Sequence, residues 1–182
     1  MKKVHLACGI KYLEGWINVD SEYHYPDEDE WWKKVIKHDL REPLPFEDSS
    51  IDFFFSEHFI EHLTRTEGEN LVKETFRCLK PRGVSRVTTP DLGFLIHCYL
   101  NNILDVWIPE GWSAGTRCGM VNGSMRLWGH QFVYDFEELV ALHRLCGFTD
   151  VYKEQHKVSK YPELNNIETR HFTGEMTIEA IK

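Results

Sequence analysis

The chain has 182 residues, with 21 Lys and Arg against 29 Asp and Glu, a net charge of −8 when histidine is neutral. That length suits one domain, and 42% hydrophobic residues with 13% aromatics can build a full core, which excludes a disordered chain and a disulfide-stapled miniprotein. The negative balance argues against a dedicated duplex-DNA binder, which needs clustered Lys and Arg to face phosphate.

No stretch of about 18 apolar residues occurs, and no apolar segment follows Lys2 and Lys3, so neither a membrane span nor a signal peptide is expected and a cytoplasmic location is. The cysteines Cys8, Cys78, Cys98, Cys118 and Cys146 are odd in number and lack CxxC spacing, which reads as reduced thiols. Strands are predicted at Lys3 to Ala7, Trp16 to Val19, Val35 to His38 and Ile51 to Phe55. Thr66 and Glu69 then stand in the relation of a capping box, with Leu71, Val72, Phe76 and Leu79 following at helical spacing and Pro81 with Gly83 as the stop. A fifth strand runs from Gly83 to Thr89, closed by Pro90. The glycine-studded stretch from Asp91 to Tyr134 reads as a long irregular insertion on the acceptor side of the domain. A helix capped by Asp135 ends at Gly147, and strands follow at Phe148 to Glu154 and Met176 to Ile181. Together these predict a three-layer α/β fold on a mostly parallel sheet with an antiparallel edge.

Ligands in such sheets sit beyond the carboxyl ends of the strands. Ala7, Cys8 and Gly9 follow the first strand, where small residues let the backbone approach a ligand. Asp20 follows the second and suits a ribose diol. Asp39 and Leu40 follow the third, an acceptor beside an apolar side chain, suited to the amine and face of an adenine. Ser56, Glu57 and His58 follow the fourth.

The stretches HLACGIKYLEGWINVD, HDLREPLPFEDSSIDFFFSEHFIEHL, LKPRGVSRVTTPDL and GHQFVYDFEELVALHRLCGF resemble the small bacterial and phage class I S-adenosylmethionine-dependent methyltransferases over about residues 3 to 150. The resemblance implies a Rossmann-like seven-stranded sheet with S-adenosylmethionine across the ends of strands one to four. Ala7, Cys8 and Gly9 would face its methionine part, Asp20 its ribose, Asp39 and Leu40 its adenine, and Ser56 and Glu57 its far side. The first loop departs from the family's GxGxG pattern, having one glycine, and only ten residues separate Gly9 from Asp20.

A competing pattern is His58-Phe59-Ile60-Glu61-His62, which fits the H-x-x-E-H arrangement of zinc hydrolases. It requires His58 and His62 on one helical face, whereas the strand just upstream puts His58 in a connection, so a site without metal is expected. A binding module without catalysis is a further alternative. For methyl transfer, His58 and His130 are the candidate bases, because imidazole titrates near neutral pH. Asp91, Arg126, Trp128 and Tyr134 are the candidate acceptor contacts, within a segment whose aromatics and arginines suit a small-molecule or glycan-type acceptor. The acidity is local: Asp20, Glu22, Asp27, Glu28, Asp29 and Glu30 crowd one connection without a Lys or Arg, so the net charge says little about the acceptor side.

Overall fold

A computed structural model describes residues 1–21, 31–108, 111–170 and 174–182. Most of the acidic run read from the sequence, positions 22 to 30, lies outside the described residues. Seven strands form one sheet in the order β3-β2-β1-β4-β5-β7-β6. They are β1 (Lys3–Leu6), β2 (Ile17–Asp20), β3 (Ile36–Lys37), β4 (Ile51–Glu57), β5 (Leu79–Pro90), β6 (Asp150–Glu154) and β7 (Glu175–Ile181). The first five pair in parallel, while β7 runs antiparallel to both β5 and β6, so the antiparallel pairing lies at the β6 edge.

The aromatic run in β4 serves both faces of the sheet, because successive side chains point to opposite sides. Phe54 enters the main core with Leu71 and Val72 of helix α1 (Arg65–Cys78) and with Leu139 and Leu142 of helix α4 (Phe136–Leu145). Phe53 and Phe55 face the other way, onto Leu164, Ile167, Leu13 and Trp16 from connecting segments.

The connection from β1 to β2 is short because one side chain holds it. Asn18, buried in β2, accepts the Leu13 N–H (2.9 Å) and donates to the carbonyls of Leu13 (2.9 Å) and Trp16 (3.0 Å). This compact loop stands where a first helix would otherwise lie.

Two sequence expectations are corrected. The capping box sits two residues earlier, at Thr64 and Glu67, with the Glu67 N–H donating to Thr64 Oγ1 (3.2 Å) and the Thr64 N–H to Glu67 Oε2 (2.8 Å). Glu69 instead pairs with Arg65 and Lys73 on the helix surface. The stretch from Asp91 to Tyr134 is not irregular throughout: it contains α2 (Leu92–Asn101) and α3 (Arg117–Arg126), packed through Leu95, Cys98 and Met120. Its glycines mislead because two of them lie inside α3 as close-packing positions. A Cβ on Gly119 would fall 2.6 Å from the Ala114 carbonyl, and one on Gly123 would fall 2.4 Å from Trp112 Cζ2.

Gly123→Ala should therefore push the Trp112 indole aside and strain the α2–α3 unit by about 1–3 kcal/mol. Denaturant unfolding of wild type and variant checks this, and equal stability of the two would contradict it.

Candidate active site

The strand ends converge on two adjoining cavities. The smaller, about 220 Å³, is lined by Asp20, His38, Asp39, Leu40, Phe59 and His62, among others. It gathers the residues expected from the sequence to meet ribose and adenine. Asp20 holds the first loop: its Oδ2 accepts the Gly9 N–H (2.6 Å) and its Oδ1 the Ser21 N–H (2.7 Å). Ala7 and Gly9 both have left-handed backbone, φ +52° and +51°, which bends the chain sharply over the end of β1. Cys8 between them is buried, and burial, with Asp20 nearby, pushes its thiol up to about 12, so it is an inert packing group. Asp39 is clasped by Arg41 through Nε (2.9 Å) and Nη2 (2.6 Å), which holds its carboxyl down at about 2. Leu40 is buried beside it.

Ser56 is buried within β4. Glu57 has its carboxylate committed elsewhere: it accepts the backbone N–H groups of Thr169 (3.0 Å) and Arg170 (3.2 Å) and the Thr169 hydroxyl (2.6 Å). Glu57 thus ties the 169–170 segment across the end of β4, which its place in the sequence did not reveal.

The larger cavity, about 390 Å³, is walled by Trp107, Trp112, Trp128, Leu95 and Val133, with His58, His62, His130, Asp91 and Glu175 among its polar lining. Its rings form a continuous chain with centroid spacings of 5.5 Å (Trp107–Trp112), 5.4 Å (Trp112–Trp128), 5.7 Å (Trp128–His130) and 5.0 Å (His130–His62). His62 lines both cavities, so they meet at that side chain.

The two candidate bases have opposite environments. His58 adopts a left-handed backbone, φ +52°, that aims its ring between two acids. Its Nε2 donates to Glu175 Oε1 (2.6 Å), and its Nδ1 lies 3.3 Å from Glu61 Oε1. Burial alone would lower its pKa, but Glu175 and Glu61 outweigh that and raise it to about 9. His58 is therefore an imidazolium at neutral pH with no free lone pair, and the expectation that it acts as a base is corrected. His130 donates from Nδ1 to the Ser124 carbonyl (2.7 Å), since a carbonyl can only accept, which leaves Nε2 as the ring nitrogen without that bond. His62 has its pKa lowered, first by burial.

Among the expected acceptor contacts, Trp128 and Asp91 line the larger cavity. Asp91 also caps α2, accepting the Gly93 N–H (2.8 Å), and pairs with Lys153 (3.1 Å). Tyr134 is corrected: it is wholly buried in the main core, its hydroxyl against Gly68, and its neighbour Val133 faces the cavity instead. Arg126 is corrected too, lying exposed at the end of α3 and outside the lining. Glu175 escaped the sequence reading because 117 residues separate it from His58 and no motif contains it.

The H-x-x-E-H geometry does not form. Ile60–His62 is a single 3-10 turn, and the nitrogens of His58 face carboxylates. No helix among the described residues is long and apolar enough to cross a membrane.

Residues 8–87 match the family model described as a methyltransferase domain. No curated protein matches the sequence. Solved structures similar to the whole chain include an S-adenosylmethionine-dependent methyltransferase from Archaeoglobus fulgidus, 19% identical over 86% of its length with a TM-score of 0.59. Another, from Thermotoga maritima, is 22% identical over 82% of its length, TM-score 0.58. A third, from Mesorhizobium loti, is 14% identical over 90% of its length, also 0.58. All three alignments cover 100% of this chain. The methyltransferase-domain match thus covers the chain from just after β1 into β5, and the whole chain shares its fold with solved S-adenosylmethionine-dependent methyltransferases.

Proposed function

We propose that the protein methylates a small-molecule or sugar-containing acceptor held in the tryptophan-walled cavity, with the cofactor's adenosine in the cleft lined by Asp20, Asp39 and Leu40. The observation that carries this reading is the junction at His62, where the two cavities meet. S-adenosylmethionine supplies a methyl on a sulfonium for in-line displacement by an acceptor lone pair. The chain's own part is alignment. Indole faces and Val133 hold the acceptor by its apolar surface, and the Asp91 and Glu175 carboxylates mark the polar end of the cavity. His62 and His130 line the larger cavity with their rings 5.0 Å apart, and either imidazole could draw off the acceptor's proton there. His58, locked between Glu61 and Glu175, positions those two acids rather than moving a proton.

Asp20 has two tasks in this reading, shaping the Gly9 loop and meeting the ribose. Asp20→Ala should weaken S-adenosylmethionine and S-adenosylhomocysteine binding at least about tenfold, the loss expected for a charged hydrogen-bond partner. Calorimetric titration measures it directly, and absence of binding heat with folded wild-type protein would sink the assignment. The acceptor class is tested with methyl-labelled cofactor and separate pools of small metabolites, glycans, RNA and protein. Label in the first two pools is expected, and label only in the last two would overturn the reading.

A further inference from the structure

We propose that Glu61, His62 and His130 form a binding site for a divalent transition-metal ion whose open coordination positions face the acceptor cavity. One ligand atom from each of the three lies within 4.8 Å of the others. Two imidazoles and a carboxylate are a donor set that holds Zn²⁺ or a neighbouring first-row ion and leaves room for an outside oxygen.

Three features of the site point to a ligand. Glu61 is fully buried, and its two oxygens differ: Oε2 accepts the Thr89 hydroxyl (3.0 Å), whereas Oε1 lies between His58 Nδ1 (3.3 Å) and His62 Nε2 (4.0 Å). A buried carboxylate held this close to imidazole rings is a ready donor for a cation, whose charge it would offset. His130 is oriented as metal-ligating histidines are, with one ring nitrogen donating to a backbone carbonyl and the other outside that bond. Third, the cluster stands at the junction of the two cavities, where an acceptor oxygen would complete the coordination. Bonds of about 2.0–2.1 Å draw such atoms to about 3.4 Å from one another, a movement of about 1 Å that half-exposed imidazoles make by rotation.

This site differs from the H-x-x-E-H pattern in its members and their roles. His58 is not a ligand, because Glu61 and Glu175 occupy its nitrogens, and Glu61 binds the ion instead of acting as a base. Its use in catalysis rests on the methyltransferase reading above, although binding of the ion does not. A hydroxyl coordinated there loses its proton to solvent more readily. The resulting oxygen lone pair forms the bond to the methyl carbon as the carbon–sulfur bond breaks, leaving S-adenosylhomocysteine and the methyl ether. The class of acceptor implied is one with an ionisable hydroxyl.

The test uses the full chain, stripped with chelator and titrated with Zn²⁺ by calorimetry and with Co²⁺ by visible absorption. We expect uptake of one equivalent, with ligand-field bands from Co²⁺, and at least about tenfold weaker binding in both His62→Ala and His130→Ala. Because His130 lies outside the cofactor cleft, retained S-adenosylhomocysteine binding by His130→Ala reports an intact fold. Equal uptake by wild type and both variants, or no uptake at one equivalent by folded wild type, would overturn the site. If the ion binds as expected but methyl transfer runs unchanged in metal-free protein, its activating role is overturned. If the cofactor itself fails to bind, the function proposed above falls while the ion measurement still stands.

Discussion

Lowering the pH from 7 to 4 should cost this protein several kcal/mol of stability, and His143→Phe should recover about 3 kcal/mol of that loss. Two histidines are buried neutral. His143 in α4 is fully buried and His5 in β1 nearly so, and burial lowers each pKa to about 4 against weaker opposing hydrogen bonds to Leu139 and Asn18. Between pH 6.5 and 4 the unfolded chain binds protons that the folded chain refuses, so stability is complete above the unfolded value and drains away as pH falls. A shift of this size is worth about 3 kcal/mol per histidine at pH 4. That is a large share of the 5–15 kcal/mol typical of a domain. Phenylalanine fills the space of His143, whose ring already packs against Phe148 at 5.4 Å, and it has no proton to gain. Denaturant unfolding of both proteins at pH 7 and pH 4 measures the difference, and identical pH slopes would refute the explanation.

The second large effect is expected at Asn18. Asn18→Leu removes partners from the Leu13 N–H and from the Leu13 and Trp16 carbonyls, and strips the Asn18 contact from His5 (3.3 Å). A loss of about 3 kcal/mol is expected. Because this loop carries the chain from Gly9 to Asp20, cofactor affinity should fall more than tenfold in protein that remains folded. Asn18→Asp keeps an acceptor for the Leu13 N–H and should fall between the two. Loss of stability with unchanged cofactor affinity would break the link drawn between this side chain and the cofactor loop.

The sheet and the residues at its carboxyl edge were legible in the sequence because each rests on local signals. Strands announce themselves by short apolar runs, and the polar or small residue ending each run marks the sheet's carboxyl edge. Asp20, Asp39 and Leu40 were found in this way, and the structure brings them to one cleft. The acceptor side was less legible because it depends on pairs far apart in sequence. Nothing near His58 announces Glu175, and nothing near Glu57 announces Thr169, yet those partners decide that His58 carries a proton and that Glu57 is occupied. Helix α3 was hidden for a different reason. Glycines within it read as loop residues until Trp112 is seen resting on Gly123. Tyr134 misled through its neighbours: it is one residue beyond the side chain that faces the cavity.

The position of β7 has a consequence for how the molecule is made. Strand β6 comes earlier in the chain, yet its ladder is with β7, which also completes β5. During synthesis β6 must therefore wait without a sheet neighbour until the residues of β7 emerge and thread between it and β5. Such long-range pairing is slow to form. Glu175, the partner of His58, is the first residue of that strand, so the His58–Glu175 contact forms only once β7 is in place. A nascent chain arrested before β7 would leave His58 without that carboxylate and β5 without its antiparallel neighbour.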